Sequence, residues 1–262
     1  MNRRPLIALL TDFGLGDQYV ASMKGVIGAI APETRVVDIS HAVLPQHVTQ
    51  AAYLLWSCYR YFPPGTIFVC VVDPGVGTSR KVLCLEAGGY RFLAPDNGLL
   101  NMTLESERVS KSVSVENVRY FLKSISPAFQ GRDLFAPVAA HLSNGIPAGR
   151  LGPRATPSTR EGHLLELVSR RGRSYKGAIL HIDHFGNIIT NFQMKMSLSR
   201  FFLLRIGRRI VRKSVRTYME AAGRTPVALV GSTGLLEISV RNGNAARIVH
   251  ARIGGRITLS VS

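Results

Sequence analysis

The stretch that most narrows the fold lies near the start of the chain. The apolar run Leu6 to Leu10 breaks off at Thr11-Asp12-Phe13-Gly14, and Tyr19, Val20, Met23, Val26, Ile27 and Ile30 follow at helical spacing. A strand without polar alternation is buried on both faces, the condition of a strand in a sheet with helices on each side. The polar turn therefore sits at a strand's carboxyl end, the edge where open α/β sheets bind ligands. The pattern recurs. Val36 to Ile39 reads as a second strand, His47 to Tyr61 as a second helix, and Thr66 to Val72 as a third strand ending at Asp73-Pro74-Gly75-Val76-Gly77. This predicts an α/β N-terminal domain with a mostly parallel sheet.

Around Asn144 to Glu161 the texture turns to Gly, Pro, Ser, Thr and Arg, as in a linker. Beyond it come short β-rich runs at Leu164 to Val168, Gly177 to Ile182, Phe201 to Ile206, Pro226 to Val230, Leu235 to Val240 and Arg256 to Ser260, which predict a smaller all-β C-terminal domain. The expected boundaries are 1–155 and 164–262. At 262 residues and 46% hydrophobic content, two modest cores are affordable. No apolar run reaches the length of a membrane span, and the N-terminus meets an acid too early for a signal peptide, so a cytoplasmic protein is expected. Cys58, Cys70 and Cys84 lie in apolar runs without paired spacing, as buried free thiols do.

Charge is unevenly shared. Residues 1–150 carry 14 Lys/Arg against 11 Asp/Glu, whereas 151–262 carry 19 against 5, so the net +17 belongs mostly to the second half. Arg200, Arg205, Arg208, Arg209, Arg212, Lys213 and Arg216 alternate with apolar residues around Gly207, which reads as a solvated face of hairpin strands. Nucleic acid or an anionic surface is the less favoured partner for that face.

Several motifs offer chemistry, each with a plainer alternative. Asp12 presents two acceptor oxygens suited to a vicinal diol, or else caps the following helix. Asp73-Pro-Gly-Val-Gly-Thr-Ser-Arg80 brackets a glycine turn with an acid and a cation; a structural turn with a surface Arg is the alternative. Phe129-Gln130-Gly131-Arg132-Asp133 precedes a helix expected over Leu134 to Leu142, with Asp133 as its cap and Arg132 in solvent on the plainer reading. Asp183-His184-Phe185-Gly186-Asn187 is a polar-aromatic turn between β runs, and the flanking His181 and His184 do not match a catalytic metal spacing, so no metal is expected. The hydrolase signatures Gly-x-Ser-x-Gly and His-Glu-x-x-His are absent.

Taken in order, the segments resemble one family. They are Leu10-Thr-Asp-Phe-Gly-Leu-Gly-Asp17, Val37-Asp-Ile-Ser-His41 with Pro45-Gln46, Phe62 to Phe68, Val72-Asp-Pro-Gly-Val-Gly-Thr78, Pro95-Asp-Asn-Gly98, Gly131-Arg-Asp-Leu-Phe-Ala-Pro137, Asp183-His-Phe-Gly-Asn187 and Ser232-Thr-Gly-Leu-Leu-Glu237. The family is that of the SAM hydroxide adenosyltransferases, or S-adenosyl-L-methionine (SAM) hydrolases, related to fluorinase and chlorinase. The resemblance implies hydrolysis of SAM to adenosine and methionine by water attacking ribose C5′, with no cofactor. It also implies a homotrimer whose sites lie between the N-terminal domain of one subunit and the C-terminal domain of its neighbour. Carried over, Asp12 would hold the ribose hydroxyls, and Asp17, Asp183 and Ser232 the methionine ammonium and carboxylate. Phe129 and Phe185 would wall the nucleoside, Asn187 would contact adenine and Tyr218 would stack on it. Asp73 and Arg80 would orient and polarise the water. Asp73 and Gly131 stand where the halogenating relatives look to have an aromatic residue and a nearby serine, which points to the water-using branch.

One position departs. The family's Phe-His-Gly-Arg-Asp reads Phe-Gln-Gly-Arg-Asp here, with Gln130 completing the set of Asp73 and Arg80. An amide orients water but takes no proton in this pH range. The alternative to a SAM hydrolase is therefore a SAM- or adenosine-binding protein with little turnover.

Overall fold

The computed structural model describes residues 5–158, 169–194 and 202–261. The chain divides into two compact units, Met1–Glu161 and Gly162–Ser262.

In the first unit, β1 (Ile7–Thr11), β2 (Val36–Ser40), β3 (Ile67–Val71), β4 (Val82–Ala87), β5 (Tyr90–Pro95) and β6 (Val109–Ser114) form one sheet in the order β2-β1-β3-β5-β4-β6. The pairings of β1 with β2, β1 with β3 and β3 with β5 are parallel; those of β4 with β5 and β6 are antiparallel. The sheet is thus mixed but mostly parallel in strand direction, with β4 alone reversed. The reason is the Gly88-Gly89 pair, at φ +58° and +82°, which closes a two-residue hairpin between β4 and β5.

Alternation along β1 sends Ile7 and Leu9 to one core and Ala8 and Leu10 to another. The first core is closed by α1 (Tyr19–Ile30), through Met23 and Ile27, and by α4 (Ala136–Ser143), through Val138 and Leu142. The second is closed by α2 (Val48–Cys58), through Ala51 and Leu55, with α3 (Asn101–Ser106) contributing Leu104 at its margin. Each fully buried Leu, Ile or Phe contributes roughly 1.5–3 kcal/mol, so the double-faced burial expected of β1 anchors the unit. Burial also pushes the Cys84 thiol up to about 12 and Cys58 up to about 11, as in packed, unreactive cysteines. Segment 144–158 is not a free linker along its length, since Ser114 N donates to Pro153 O (2.9 Å) and Ala155 N to Ser112 O (3.2 Å) beside β6.

In the second unit, β7 (Ser169–Arg171), β8 (Ser174–Ile182), β9 (Ile188–Gln193), β10 (Phe202–Ile206), β11 (Arg209–Val211), β12 (Val227–Val230), β13 (Leu235–Ser239) and β14 (Arg256–Val261) form a sheet in the order β11-β10-β14-β8-β9-β13-β12, with β7 on β8. All its named pairings are antiparallel. Beyond β11, Val215 N donates to Ala228 O (3.0 Å) and Ala228 N to Lys213 O (2.9 Å). The two ends of the strand order are drawn together into a nearly closed barrel, which covers an edge. On the expected hairpin at Gly207, Leu204 and Ile206 point inward and Arg205 outward, as the alternation requires. The unit is not all β, because α5 (Ala245–Val249) intervenes, capped by Asn244, whose side chain accepts from Arg247 N (2.8 Å). The run expected over Leu164 to Val168 lies outside the described residues, as does Arg200.

Candidate active site

In the first unit the candidate residues gather at the carboxyl ends of β1 and β3. Asp73 follows β3, and its turn is shaped by Gly75, where a Cβ would lie 3.3 Å from Arg80 Cγ, and by Gly77 at φ +79°. The turn folds Arg80 back onto Asp73: Nη2 donates to Asp73 Oδ2 and also to Gln130 Oε1. Asp73 and Arg80 side chains retain only 5% and 10% exposure, so this is a desolvated, charge-assisted contact rather than a surface pair. Arg80 is accordingly not the surface arginine of the plainer reading. Its Nε is buried and has no hydrogen-bond partner among the described residues.

Gln130 reaches Arg80 because of the turn that follows it. Gly131–Phe135 is a π-helical turn in which Ala136 N donates to Gly131 O five residues back. Such wide turns interrupt α-helices at functional sites. Asp133 is not a helix cap but a fully buried carboxylate inside this turn. It accepts from Ser126 N (2.8 Å) and takes Arg132 by two bonds, Nε to Oδ1 (2.6 Å) and Nη2 to Oδ2 (3.0 Å). The Arg132 hydrogen bonds hold its carboxyl below the usual carboxylate range. Arg132 in turn lies 5.0 Å over the Phe129 ring. Phe129 packs edge-on against Phe13 (6.0 Å) and Tyr19 (5.0 Å). Gly131 is closely packed, since a Cβ there would stand 3.1 Å from the Phe13 ring and would require that ring to shift by a few tenths of an ångström.

Asp12 is not the cap of α1, whose N-cap is Gln18. Its Oδ2 accepts from Gln46 N (2.7 Å), and among the described residues Oδ1 takes no hydrogen bond. Asp17 stands exposed on the same β1–α1 turn.

In the second unit Asp183, Phe185, Asn187 and Tyr218 line a cavity of ≈550 Å³ together with Met219, Arg241 and Asn244. Asp183 organises the turn, with Oδ1 accepting from Phe185 N (2.9 Å) and Asn187 N (2.8 Å), and Oδ2 from Asn187 Nδ2 (2.8 Å). A carboxylate only accepts, so the Asn187 amide must turn its NH2 to Asp183, which leaves its carbonyl oxygen as the free acceptor. Gly186, at φ +86°, is required because a Cβ there would lie 2.1 Å from Asn244. Ala246 N then donates to Gly186 O (2.9 Å), docking the turn on α5. Tyr218 donates its OH to Glu237 Oε2 (3.0 Å). Burial, with the Asp183 charge adding to it, raises the Glu237 carboxyl, and burial followed by the Glu237 charge pushes Tyr218 up to about 12. Ser232 is exposed in the β12–β13 turn and is not among the cavity's lining residues. Sequence reasoning assigned no role to Phe13, Tyr19, Gln46 or Glu237, although all but Tyr19 lie in the quoted segments. Among the described residues no group of three His, Cys, Asp or Glu is placed to hold a metal, and no helix is long and apolar enough to cross a membrane.

Residues 7–152 match the SAM hydroxide adenosyltransferase N-terminal domain and residues 177–258 the SAM hydroxide adenosyltransferase C-terminal domain. The chain belongs to the SAM hydroxide adenosyltransferase family. Within it, the chain is 36% identical over 97% of its length, and 98% of the relative's, to the (R)-S-adenosyl-L-methionine hydrolase of Thermus thermophilus. It is 35% identical to the enzyme of the same name from Salinispora tropica, covering 98% of both chains. A crystal structure of an uncharacterized conserved protein from Thermotoga maritima superposes with a TM-score of 0.84 at 32% identity, over 97% of this chain and 99% of that one. The adenosyltransferase segments read from the sequence fall in both matched domains.

Proposed function

We propose that this chain hydrolyses S-adenosyl-L-methionine to adenosine and L-methionine. The substrate form is the (R) sulfonium that the relatives' name specifies. The observation that carries the reading is the single guanidinium nitrogen of Arg80 shared between buried Asp73 and Gln130.

The chemistry asks little of an acid. Water forms a bond to C5′ while the C5′–S bond breaks, its electron pair going to sulfur, so the leaving group departs as a neutral thioether and the proton lost by the water passes to solvent. What the reaction needs is an oriented water with hydroxide character, in line with sulfur. Arg80 stabilises the developing charge and Asp73 holds both water and guanidinium. Gln130 positions Arg80 through its carbonyl. Asp12 binds the ribose diol, Asp17, Asp183 and Ser232 hold the methionine end, and Phe129, Phe185, Asn187 and Tyr218 enclose the nucleoside. The free Asn187 carbonyl oxygen suits the 6-amino group of adenine. No cofactor takes part. The domains run over 1–155 and 164–262, the assembly is a homotrimer, and the protein works in the cytoplasm.

The test is to incubate the purified protein with each sulfonium epimer and follow products by chromatography. Adenosine and methionine should rise in equal amounts and faster from the (R) form. Tight adenosine binding with no turnover at high enzyme concentration would leave a binding protein instead, the outcome favoured by an amide at position 130.

A further inference from the structure

We propose that His41 and Gln46 are positioning residues that hold the Asp12 carboxylate ready for a ribose diol, an inference that rests on the role given to Asp12 above. The loop between β2 and α2 is fastened to the β1–α1 turn at three points around Asp12. Thr11 Oγ1 lies 2.8 Å from His41 Nδ1, Gly14 N donates to His41 O (2.8 Å), and Gln46 N donates to Asp12 Oδ2 (2.7 Å). Phe13 N also donates to Thr11 Oγ1 (3.2 Å), so the residues on both sides of Asp12 are tied, directly or through one hydroxyl, to His41.

The Thr11 hydroxyl, which accepts from Phe13 N, has both a proton and a second lone pair to offer Nδ1, and the other ring nitrogen, Nε2, faces Asp38 Oδ1 at 3.0 Å. The other Asp38 oxygen takes Lys24 Nζ (2.6 Å). The sequence Thr–His–Asp has the look of a nucleophile triad, but Thr11 is 0% and His41 4% exposed. Both side chains are closed off from solvent, so their action falls on Asp12.

Gln46 supplies the second observation. Its φ is +64°, the left-handed region that a residue with a Cβ seldom occupies. Strain of this kind persists where surrounding structure imposes it, and it gathers at ligand sites. Here it aims the backbone N–H of residue 46 at Asp12. With one lone pair so engaged, the carboxylate cannot rotate freely, and its other lone pairs face two adjacent hydroxyl donors without a further ordering cost on binding.

The experiment measures, on the full-length protein, calorimetric affinity for adenosine and for 2′,3′-dideoxyadenosine. The wild type should prefer adenosine by roughly 10-fold or more, as a hydrogen bond to a charged group supports. H41L and Q46V should lower that preference below roughly 3-fold, the change confined to adenosine. H41N, which keeps a polar atom near the Nδ1 position, and Q46G, which accepts the left-handed backbone, should restore it. The dideoxy affinity reports that each variant is folded, and Q46V, on an exposed loop, carries the test if H41L does not fold. A preference that survives intact in H41L and Q46V overturns the positioning role alone. Equal loss in Q46G and Q46V overturns it too, because the Gln46 side chain would then be what the ligand meets. A wild type without any preference overturns the reading of Asp12 itself, while product formation from SAM is judged separately.

Discussion

Replacing Arg80 by Met removes the cation that pairs with Asp73. With side-chain exposures of 5% and 10%, both partners are largely removed from bulk water, and among the described residues Asp73 otherwise accepts the Gly75 N–H at 3.2 Å. Removing one member of a buried pair costs about 3–5 kcal/mol, because the other charge is left uncompensated. For a chain of this size about 1 kcal/mol moves the melting temperature by roughly 2–4 °C, so the R80M transition should fall by roughly 10 °C in calorimetry. Removing both charges with D73L/R80M should recover most of that loss, since well-packed apolar groups replace a buried pair at little net cost. Turnover of SAM should not recover: both variants should be slower by about 10²-fold or more, the scale of losing a preorganised electrostatic contact. The reasoning is refuted if R80M melts within a degree or two of wild type, or if the double variant regains activity along with stability.

Three further outcomes are expected. Q130H should raise turnover by about 10²-fold and bring in a fall in rate below about pH 6.5, where an imidazole is protonated; an unchanged rate with a flat profile would show that position 130 only orients groups. Glu237 has its carboxyl raised in the folded state, chiefly by burial, so the folded chain keeps a proton that the unfolded chain releases. Stability is therefore lost as pH rises above the ordinary value of 4.5, and E237Q should melt higher than wild type at pH 8, with the gap closing at pH 4. A gap that widens in acid would contradict that sign. Finally, the free carbonyl of Asn187 should favour adenosine over inosine, whose 6-oxo group meets it acceptor to acceptor, by about 10-fold in competition binding; equal affinities would place the base elsewhere.

The strand β1, the helix after it and the polar turn between them were legible because a run buried on both faces and a helical period are local patterns. Strand direction was less so. The hairpin at Gly88-Gly89 carries a recognisable turn signal, but its partners lie between segments that otherwise read as parallel units, and it makes the sheet mixed. Strand β9 and helix α5 are short and carry weak periodicity; their places are settled by pairing with β13 and by docking on the Asp183 turn. At the site, the residue types at 73, 80 and 130 were evident, but their convergence was not. The contact between residues 80 and 130 depends on a π-helical turn that no pattern in Gly131-Arg-Asp-Leu-Phe announces.

By itself the sequence determined which faces are buried, where the strands end, the family through its ordered segments, and the amide at 130 in place of a histidine. Tertiary structure decided that Asp12 is held by a loop over thirty residues away, that Asp133 is a buried anchor and not a cap, and that Arg80 is a desolvated bridge and not a surface charge. The division has a physical cause. Burial and turn chemistry act between neighbours in the chain, whereas the strength of a charge and the direction of a hydrogen bond depend on what the fold brings alongside and how much water it leaves there.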